Sequence, residues 1–255
     1  MFLFYFFFVL KKKYVLVNKK MYSEILEQLI ECNDKCFERY IKDNVIWDED
    51  VVMAIIDNLQ PNTEFLDIGA NIGLTSLYVN KLSHIDDIEI ICFEPVTETY
   101  EMLFRNTRRY SNIKCFNVGI SDMNRNYSMM RRKNYTSMDE VYNKDNEYDE
   151  NYQEIGKYEF VKLDYSFIFR KVSVIKIDVE GHEYEVLQGC EGTIHAHRPV
   201  IIIEIFMSNY RKVFQLLQSY GYYKDETLNN DNYIFKPFTS NLNRFYTYKN
   251  PQQQS

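Results

Sequence analysis

No two cysteines are spaced as Cys-x-x-Cys, and no cysteine–histidine cluster has zinc-ligand spacing, although the chain carries five cysteines and four histidines. That argues against a zinc site, and an odd number of cysteines without a disulfide pattern reads as reduced, mostly buried thiols in a cytoplasmic protein. An excess of basic charge is also missing. With 37 acidic and 30 basic residues the net charge is −7 and the isoelectric point is near 5.3. General nucleic-acid binding is therefore not expected, because phosphate attraction needs a basic face. The basic clusters Lys11–Lys13, Arg108-Arg109 and Arg131–Lys133 are short and read as solvated surface.

Long apolar runs are lacking too. Only Phe2–Leu10 is continuously apolar, and it falls well short of the roughly 20 residues a membrane span requires. Lysines follow this run instead of preceding it, and no small-residue cleavage site comes after, so it does not read as a signal peptide. Stable membrane insertion is not expected. The run reads either as a peripheral tether or as sequence upstream of an alternative start at Met21. Glycine and proline are scarce while Tyr, Phe, Asn, Lys and Ile are abundant; this reflects AT-rich coding and carries no functional signal. No internal repeat is visible.

What is present suits one α/β domain with additions. Apolar residues make up 45% of the 255 positions, enough to bury a sizeable core. Residues 1–20 form the apolar and basic extension, 21–60 a helical cover, 61–240 the main domain with a polar insertion at about 122–162, and 241–255 a tail. Within the cover, helical spacing of Ile25, Leu29, Ile30, Cys36 and Phe37 predicts one or two amphipathic helices over Met21–Tyr40, with Cys32 and Cys36 one turn apart. A further helix is expected over Asp48–Leu59, its acids Asp48, Glu49 and Asp50 suiting the positive N-terminal pole.

From Glu64 onward, short apolar runs alternate with amphipathic segments. The runs are Glu64–Ile68, Glu89–Phe93, Ile113–Val118, Val174–Ile177 and Val200–Ile205. Helices are expected over Leu74–Leu82, Thr97–Tyr110, Tyr184–His195 and Asn209–Tyr220. This alternation predicts a doubly wound parallel sheet. A terminal hairpin from Tyr222–Lys224 to Asn232–Lys236 turns at Asn229-Asn230-Asp231. The excursion Asp122–Lys162 leaves the sheet on the side where such folds bind ligands, so it can reach the binding crevice.

The chemistry-bearing residues gather at strand ends. Asp67-Ile68-Gly69-Ala70-Asn71-Ile72-Gly73 links a strand to a helix, where glycine lets backbone approach a ligand and the helix start offers free N–H groups. A dinucleotide site wants G-x-G-x-x-G here, yet Ala70 and Asn71 stand where a second glycine would serve a pyrophosphate. A cofactor without one is favoured, although a nicotinamide-dependent oxidoreductase is the alternative, and so is a catalytically silent interaction module. Glu94, ending the second strand, can accept the hydroxyls of a ribose; Ser121 or Asp122 can accept from an adenine amine.

Asp178, Glu180 and Glu204 should converge at the carboxyl edge of the sheet, with Lys176 beside them. Burying such charges is costly unless they face a polar cleft or one another. Asp178 or Glu180 is the candidate general base. The three acids are also the only set read here as able to hold a divalent cation, a secondary option beside the assignment of no metal. Glu180 or Glu183 could instead cap a helix. His182 reads as a surface histidine at a helix start, and His195 and His197 as helix-end residues.

Taken in order, FLDIGANIGL from Phe65, CFEP from Cys92, NVGISD from Asn117, IKIDVEGHEYEVLQG from Ile175 and RPVIIIEI from Arg198 resemble the FkbM-type methyltransferases, over roughly Asn62–Ile205. The resemblance implies the class I methyltransferase fold, a Rossmann-like doubly wound seven-stranded sheet with an antiparallel last strand. It also implies S-adenosyl-L-methionine as cofactor and O-methylation of a sugar, glycan or small-molecule hydroxyl. Carried over by position, Asp67, Gly69, Ala70, Asn71 and Gly73 would surround the cofactor's methionine end and Glu94 its ribose. The polar excursion and the residues before Asn62 have no counterpart in the resemblance, and such regions shape an acceptor pocket.

Overall fold

The computed structural model describes residues 19–133, 135, 138–142, 148–229 and 231–238. The run Phe2–Leu10, the cluster Lys11–Lys13, the turn residue Asn230 and the tail 241–255 lie outside the described residues. The described chain opens with a hairpin of β1 (Lys19–Ser23) and β2 (Gln28–Cys32), where a helix had been expected. The turn between them closes with Glu27 donating to the Glu24 carbonyl at 3.3 Å, Glu27 taking a φ of +52°. Met21 and Ser23 are buried while Tyr22 is exposed, and Leu29 is exposed beside buried Ile30. That is the period-two pattern of a half-buried strand. A four-residue turn between two such strands spaces apolar residues much as a helix does. Cys32 therefore sits on a strand, not one helical turn from Cys36.

The hairpin is fastened from outside its own sheet. Helix α4 (Thr97–Thr107) presents Asn106, whose side-chain amide accepts from the Glu31 N–H at 2.8 Å and donates to the Glu31 carbonyl at 3.1 Å. The amide thus completes the hydrogen bonding of a strand edge. The cover continues through α1 (Lys35–Asp43), capped by the Asp34 side chain, and α2 (Glu49–Asn58).

The expected core strands follow as β3 (Glu64–Ile68), β4 (Glu89–Phe93), β5 (Ile113–Phe116), β10 (Val172–Ile177) and β11 (Val200–Glu204). With β12 (Tyr222–Thr227) and β13 (Asn232–Pro237) they make a seven-stranded sheet in the order β12-β13-β11-β10-β3-β4-β5. Only β13 runs against its neighbours. From β3 the chain winds outward one way through β4 and β5 and the other way through β10 and β11. The crevice at this reversal is where open α/β sheets bind ligands.

Alternate residues of each strand face opposite layers. Phe65, Ile90, Cys92, Val174 and Ile202 pack with α1, α2, α3 (Leu74–Leu82), α4 and the hairpin in one core. Leu66, Ile68, Ile91, Ile175, Ile177, Ile201 and Ile203 pack with α5 (Leu163–Ser166), α6 (Glu183–Gly189), α7 (Glu191–His197) and α8 (Tyr210–Ser219) in the other. The expected helix Tyr184–His195 is two helices, joined at Cys190. His195 and His197 lie in the last turn of α7, as expected.

The polar excursion is a second sheet. Strands β6 (Gly119–Ile120), β7 (Arg125–Arg132), β8 (Asp139–Val141) and β9 (Tyr152–Val161) pair in the order β6-β9-β7-β8. Its small core joins Met129 and Phe160 to Val96. The Phe160 ring lies directly over Gly119, and any Cβ there would collide with it. Among the described residues, no helix is long and apolar enough to cross a membrane.

Candidate active site

Sheet register dictates the charged floor of the site. Lys176 of β10 pairs directly with Asp67 of β3, and both point to the same face, at its carboxyl edge. The Lys176 ammonium lies 3.4 Å from Asp67 Oδ1, 3.1 Å from Asp178 Oδ2 and 3.5 Å from the Gly69 carbonyl. Burial alone would disfavour its charge, but Asp178 and Asp67 more than offset this and hold it above its ordinary pKa. Asp67 is fully buried and its other oxygen accepts from Ser76 Oγ at 2.6 Å.

The loop after β3 is shaped by the protein around it. Gly69 has a φ of +81°, and a side chain there would collide with the Asp178 carbonyl oxygen. Gly73 has a φ of +89° and sits where a Cβ would approach Leu103 to 2.7 Å. Both glycines therefore serve close packing of chain on chain, whereas the sequence suggested room for a ligand. Gly69 and Ala70 donate their N–H groups to the Phe93 carbonyl, tying the loop to β4.

Glu94 is buried at the end of β4, with Oε1 accepting from the Val96 N–H at 2.9 Å and Oε2 from the Asn71 N–H at 3.2 Å. Burial pushes its pKa up to about 8, against the pull of those two N–H groups. A cavity of about 350 Å³ opens in front of it. One wall is the loop Gly69–Ile72 with the start of α3, and another is the second sheet through Ile120, Met129, Asp139, Val141 and Phe160. Arg131 pairs with both oxygens of Asp139.

The acids after β10 and β11 meet in the same cavity. One oxygen from each of Asp178, Glu180 and Glu204 lies within 4.8 Å of the others, a geometry able to hold a cation. Burial raises Asp178, but Lys176 and a hydrogen bond from Glu204 bring it below the usual carboxylate range. Burial and the Asp178 charge push Glu204 up to about 10 and Glu180 up to about 9. Glu180 occupies the left-handed region at φ +49°. Glu183 takes the structural part: it accepts from the Gly181 N–H at 2.7 Å and from Asn209 Nδ2 at 2.6 Å, fixing the loop that presents Glu180.

His182 is not a surface residue. It is 7% exposed, lines the cavity, and is packed edge-on against Tyr127 and Phe160. Its Nε2 lies 2.9 Å from Ser121 Oγ, which in turn bonds Asp122 Oδ1 at 3.0 Å. Burial holds the imidazole pKa down. Ser121 and Asp122 thus stand behind His182, and Asp67 and Gly73 beneath the loop; none of the four is among the lining residues, whereas Gly69, Ala70, Asn71, Glu94, Asp178, Glu180 and Glu204 all are.

Sequence reasoning pointed to the cover and the polar excursion as pocket-forming regions but missed which of their residues reach the cavity. Trp47, Phe37 and Asp48 line the cavity from one side, Asp139 from another, and Asn229, Asp231 and Asn232 of the terminal hairpin from a third. Trp47 packs edge-on against Phe37 and Tyr40, each at 4.8 Å. Asp48 precedes α2 but its side chain caps no backbone N–H. A lone tryptophan followed by three acids, in a segment outside the motif blocks, was the available signal.

The curated relatives include a methyltransferase, sdnD, from Sordaria araneosa, 30% identical over 168 residues, covering 53% of this chain and 63% of that protein. A second, the AMB antimetabolite synthetase AmbE of Pseudomonas aeruginosa, is 38% identical over 68 residues, 26% of this chain and 3% of that one. The chain thus spans less than two thirds of either. Among solved structures, the FkbM methyltransferase of Methylobacillus flagellatus aligns with a TM-score of 0.48 at 17% identity, over 70% of this chain and 44% of that one. The precorrin-6y C5,15-methyltransferase of Geobacter metallireducens aligns at 0.45 and 13%, over 76% and 91%. The FkbM methyltransferase domain matches residues 67–223, which gives no support to a nicotinamide-dependent oxidoreductase. Matched over more than half its length, and with the strand order and acid-lined crevice described above, the chain belongs to the FkbM methyltransferase family.

Proposed function

We propose that the chain binds S-adenosyl-L-methionine between the Gly69–Gly73 loop and Glu94 and methylates a hydroxyl of a sugar, glycan or small-molecule acceptor. The observation that carries this reading is a single cavity joining a buried carboxylate at the end of β4 to three clustered acids at the ends of β10 and β11. The residues present fit the cofactor. Each Glu94 oxygen accepts one N–H and keeps a further site for a ribose hydroxyl, an acceptor lone pair or, in the protonated acid, its O–H. Apolar Ile120, Phe93 and Phe160 suit a purine face, and the first turn of α3 offers N–H groups to a carboxylate.

When bound, the cofactor supplies an electrophilic methyl carbon that an acceptor oxygen displaces from sulfur, the C–S electron pair staying on sulfur as a neutral thioether. The chain aligns the acceptor and takes its proton. Alignment of this kind can supply about 7–11 kcal/mol. Asp178 is the base, because Lys176 keeps it ionised while Glu180 and Glu204 hold their protons at neutral pH. Glu180 borders the acceptor's approach. Ser121 and Asp122 act on the adenine end only through His182.

Asp178→Asn should lower kcat by about 10²- to 10⁴-fold while leaving the affinity for S-adenosylhomocysteine, measured by calorimetry, essentially intact. Undiminished turnover removes Asp178 from the reaction.

A further inference from the structure

The cavity is lined by carboxyl side chains from several elements, of which Glu180 and Glu204 hold their protons at neutral pH. Asp48 enters from the head of α2, Asp178 and Glu180 from the end of β10, Glu204 from β11 and Asp231 from the turn before β13. Among the described residues, Lys176 is the only lysine or arginine in the wall, and it is committed to Asp178 and Asp67. Asp139, nearer the cofactor loop, is already matched by Arg131. No cation in the described wall is left to receive a phosphate or a carboxylate. The carboxyls also crowd one another: burial first, and then the Asp178 charge, pushes Asp48, Glu180 and Glu204 upward.

A second feature lies beside the acids, where the Trp47 side chain hydrogen-bonds Asp48. Trp47 and Phe37 border the same cavity, and aromatic faces attract cations, most strongly when both are withdrawn from water. Asp48, next to Trp47, is not spent on its helix.

We propose that the acceptor carries a positive charge close to the hydroxyl that is methylated, as an amino sugar or an amino alcohol does. The inference rests on the methyl-transfer reading of the cavity. The ammonium is held by Asp48, Asp231 and Trp47 and keeps its protons; the hydroxyl gives its proton to Asp178 and its oxygen forms the new bond to carbon.

The test separates an extract of the source cells, at neutral pH, into cationic, neutral and anionic fractions on ion exchangers. Each fraction is incubated with the full chain and methyl-labelled S-adenosylmethionine. Label should enter the cationic fraction, and Asp48→Asn and Asp231→Asn should each raise KM for that fraction about tenfold with the affinity for S-adenosylhomocysteine unchanged. Label confined to the neutral or anionic fraction overturns the proposal but leaves methyl transfer standing, as does an unchanged KM in both variants. Loss of labelling in EDTA with recovery on adding Mg²⁺ assigns the acids to a metal and likewise overturns it. Calorimetric binding of S-adenosylhomocysteine with no label in any fraction overturns the methyl-transfer reading itself, and the proposal with it.

Discussion

At the scale of single residues, the cofactor loop is set by steric exclusion. Gly69 is held at positive φ with its α-carbon against the Asp178 carbonyl, so Gly69→Ala meets both backbone strain and a collision with main chain that cannot swing aside. A loss of about 3 kcal/mol or more is expected, seen as a lower urea midpoint; an unchanged midpoint would show that β3 and β10 can part without cost. Glu94→Gln keeps the shape but replaces a charge-capable acceptor by an amide whose NH₂ must face one of two backbone donors. Affinity for S-adenosylhomocysteine should fall about 10- to 100-fold by calorimetry, and equal affinity would take Glu94 out of the ribose site. The two positions differ in legibility. The place of Glu94 at the end of a core strand was readable from the apolar run before it and the proline after it, whereas the partner of Gly69 lies over a hundred residues away in the chain.

At the scale of elements, one side chain joins three of them. Asn106 of α4 bonds both main-chain groups of Glu31 in β2 and donates to the Ile72 carbonyl in the cofactor loop at 3.0 Å. Asn106→Ala leaves buried backbone groups without partners and should cost about 2–4 kcal/mol, read from urea unfolding, with weaker cofactor binding because the loop loses its tether. A loss below about 0.5 kcal/mol, the range of an ordinary surface change, would mean that water replaces the amide. The core strands were legible because, buried on both faces, they are short continuous apolar runs with sharp ends. The hairpin β1–β2 was not, since five-residue strands around a tight turn imitate helical spacing. The second sheet was hidden for another reason: much of β7 and β9 is exposed or half-buried, and strands with little core contact leave a weak hydrophobic pattern.

At the scale of the whole molecule, the crowded carboxyls tie stability to pH. Asp139, Glu94, Glu180 and Glu204 are raised to about 6, 8, 9 and 10. The folded state therefore binds more protons than the unfolded state between about pH 4.5 and those values, and stability falls as pH rises through that window. Asp178, held low, works the other way: its contribution is present above the ordinary aspartate range and is lost as pH falls through its lowered value. Unfolding free energy should thus be highest in mild acid and decline steadily toward about pH 9, measured by urea titration across the series. A flat profile would mean that the acids are solvated and ionised in the free protein, and would overturn the burial-driven shifts described above.

Local patterns in the chain carried the doubly wound sheet, the position of the Asp67–Gly73 loop and, through the resemblance of the ordered motif blocks, the family and its seven strands, because each depends on residues adjacent in the chain. Which acids share a cavity, which are buried beneath it, and what walls off the acceptor were decided only by tertiary structure. Lys176 meets Asp67 through strand register, Glu204 meets Asp178 through the adjacency of β10 and β11, and Trp47, Asp48, Asp139 and Asp231 arrive from segments far apart in sequence. Charge and burial at the loop on which the cofactor is proposed to rest are properties of that convergence, and no local pattern encodes them.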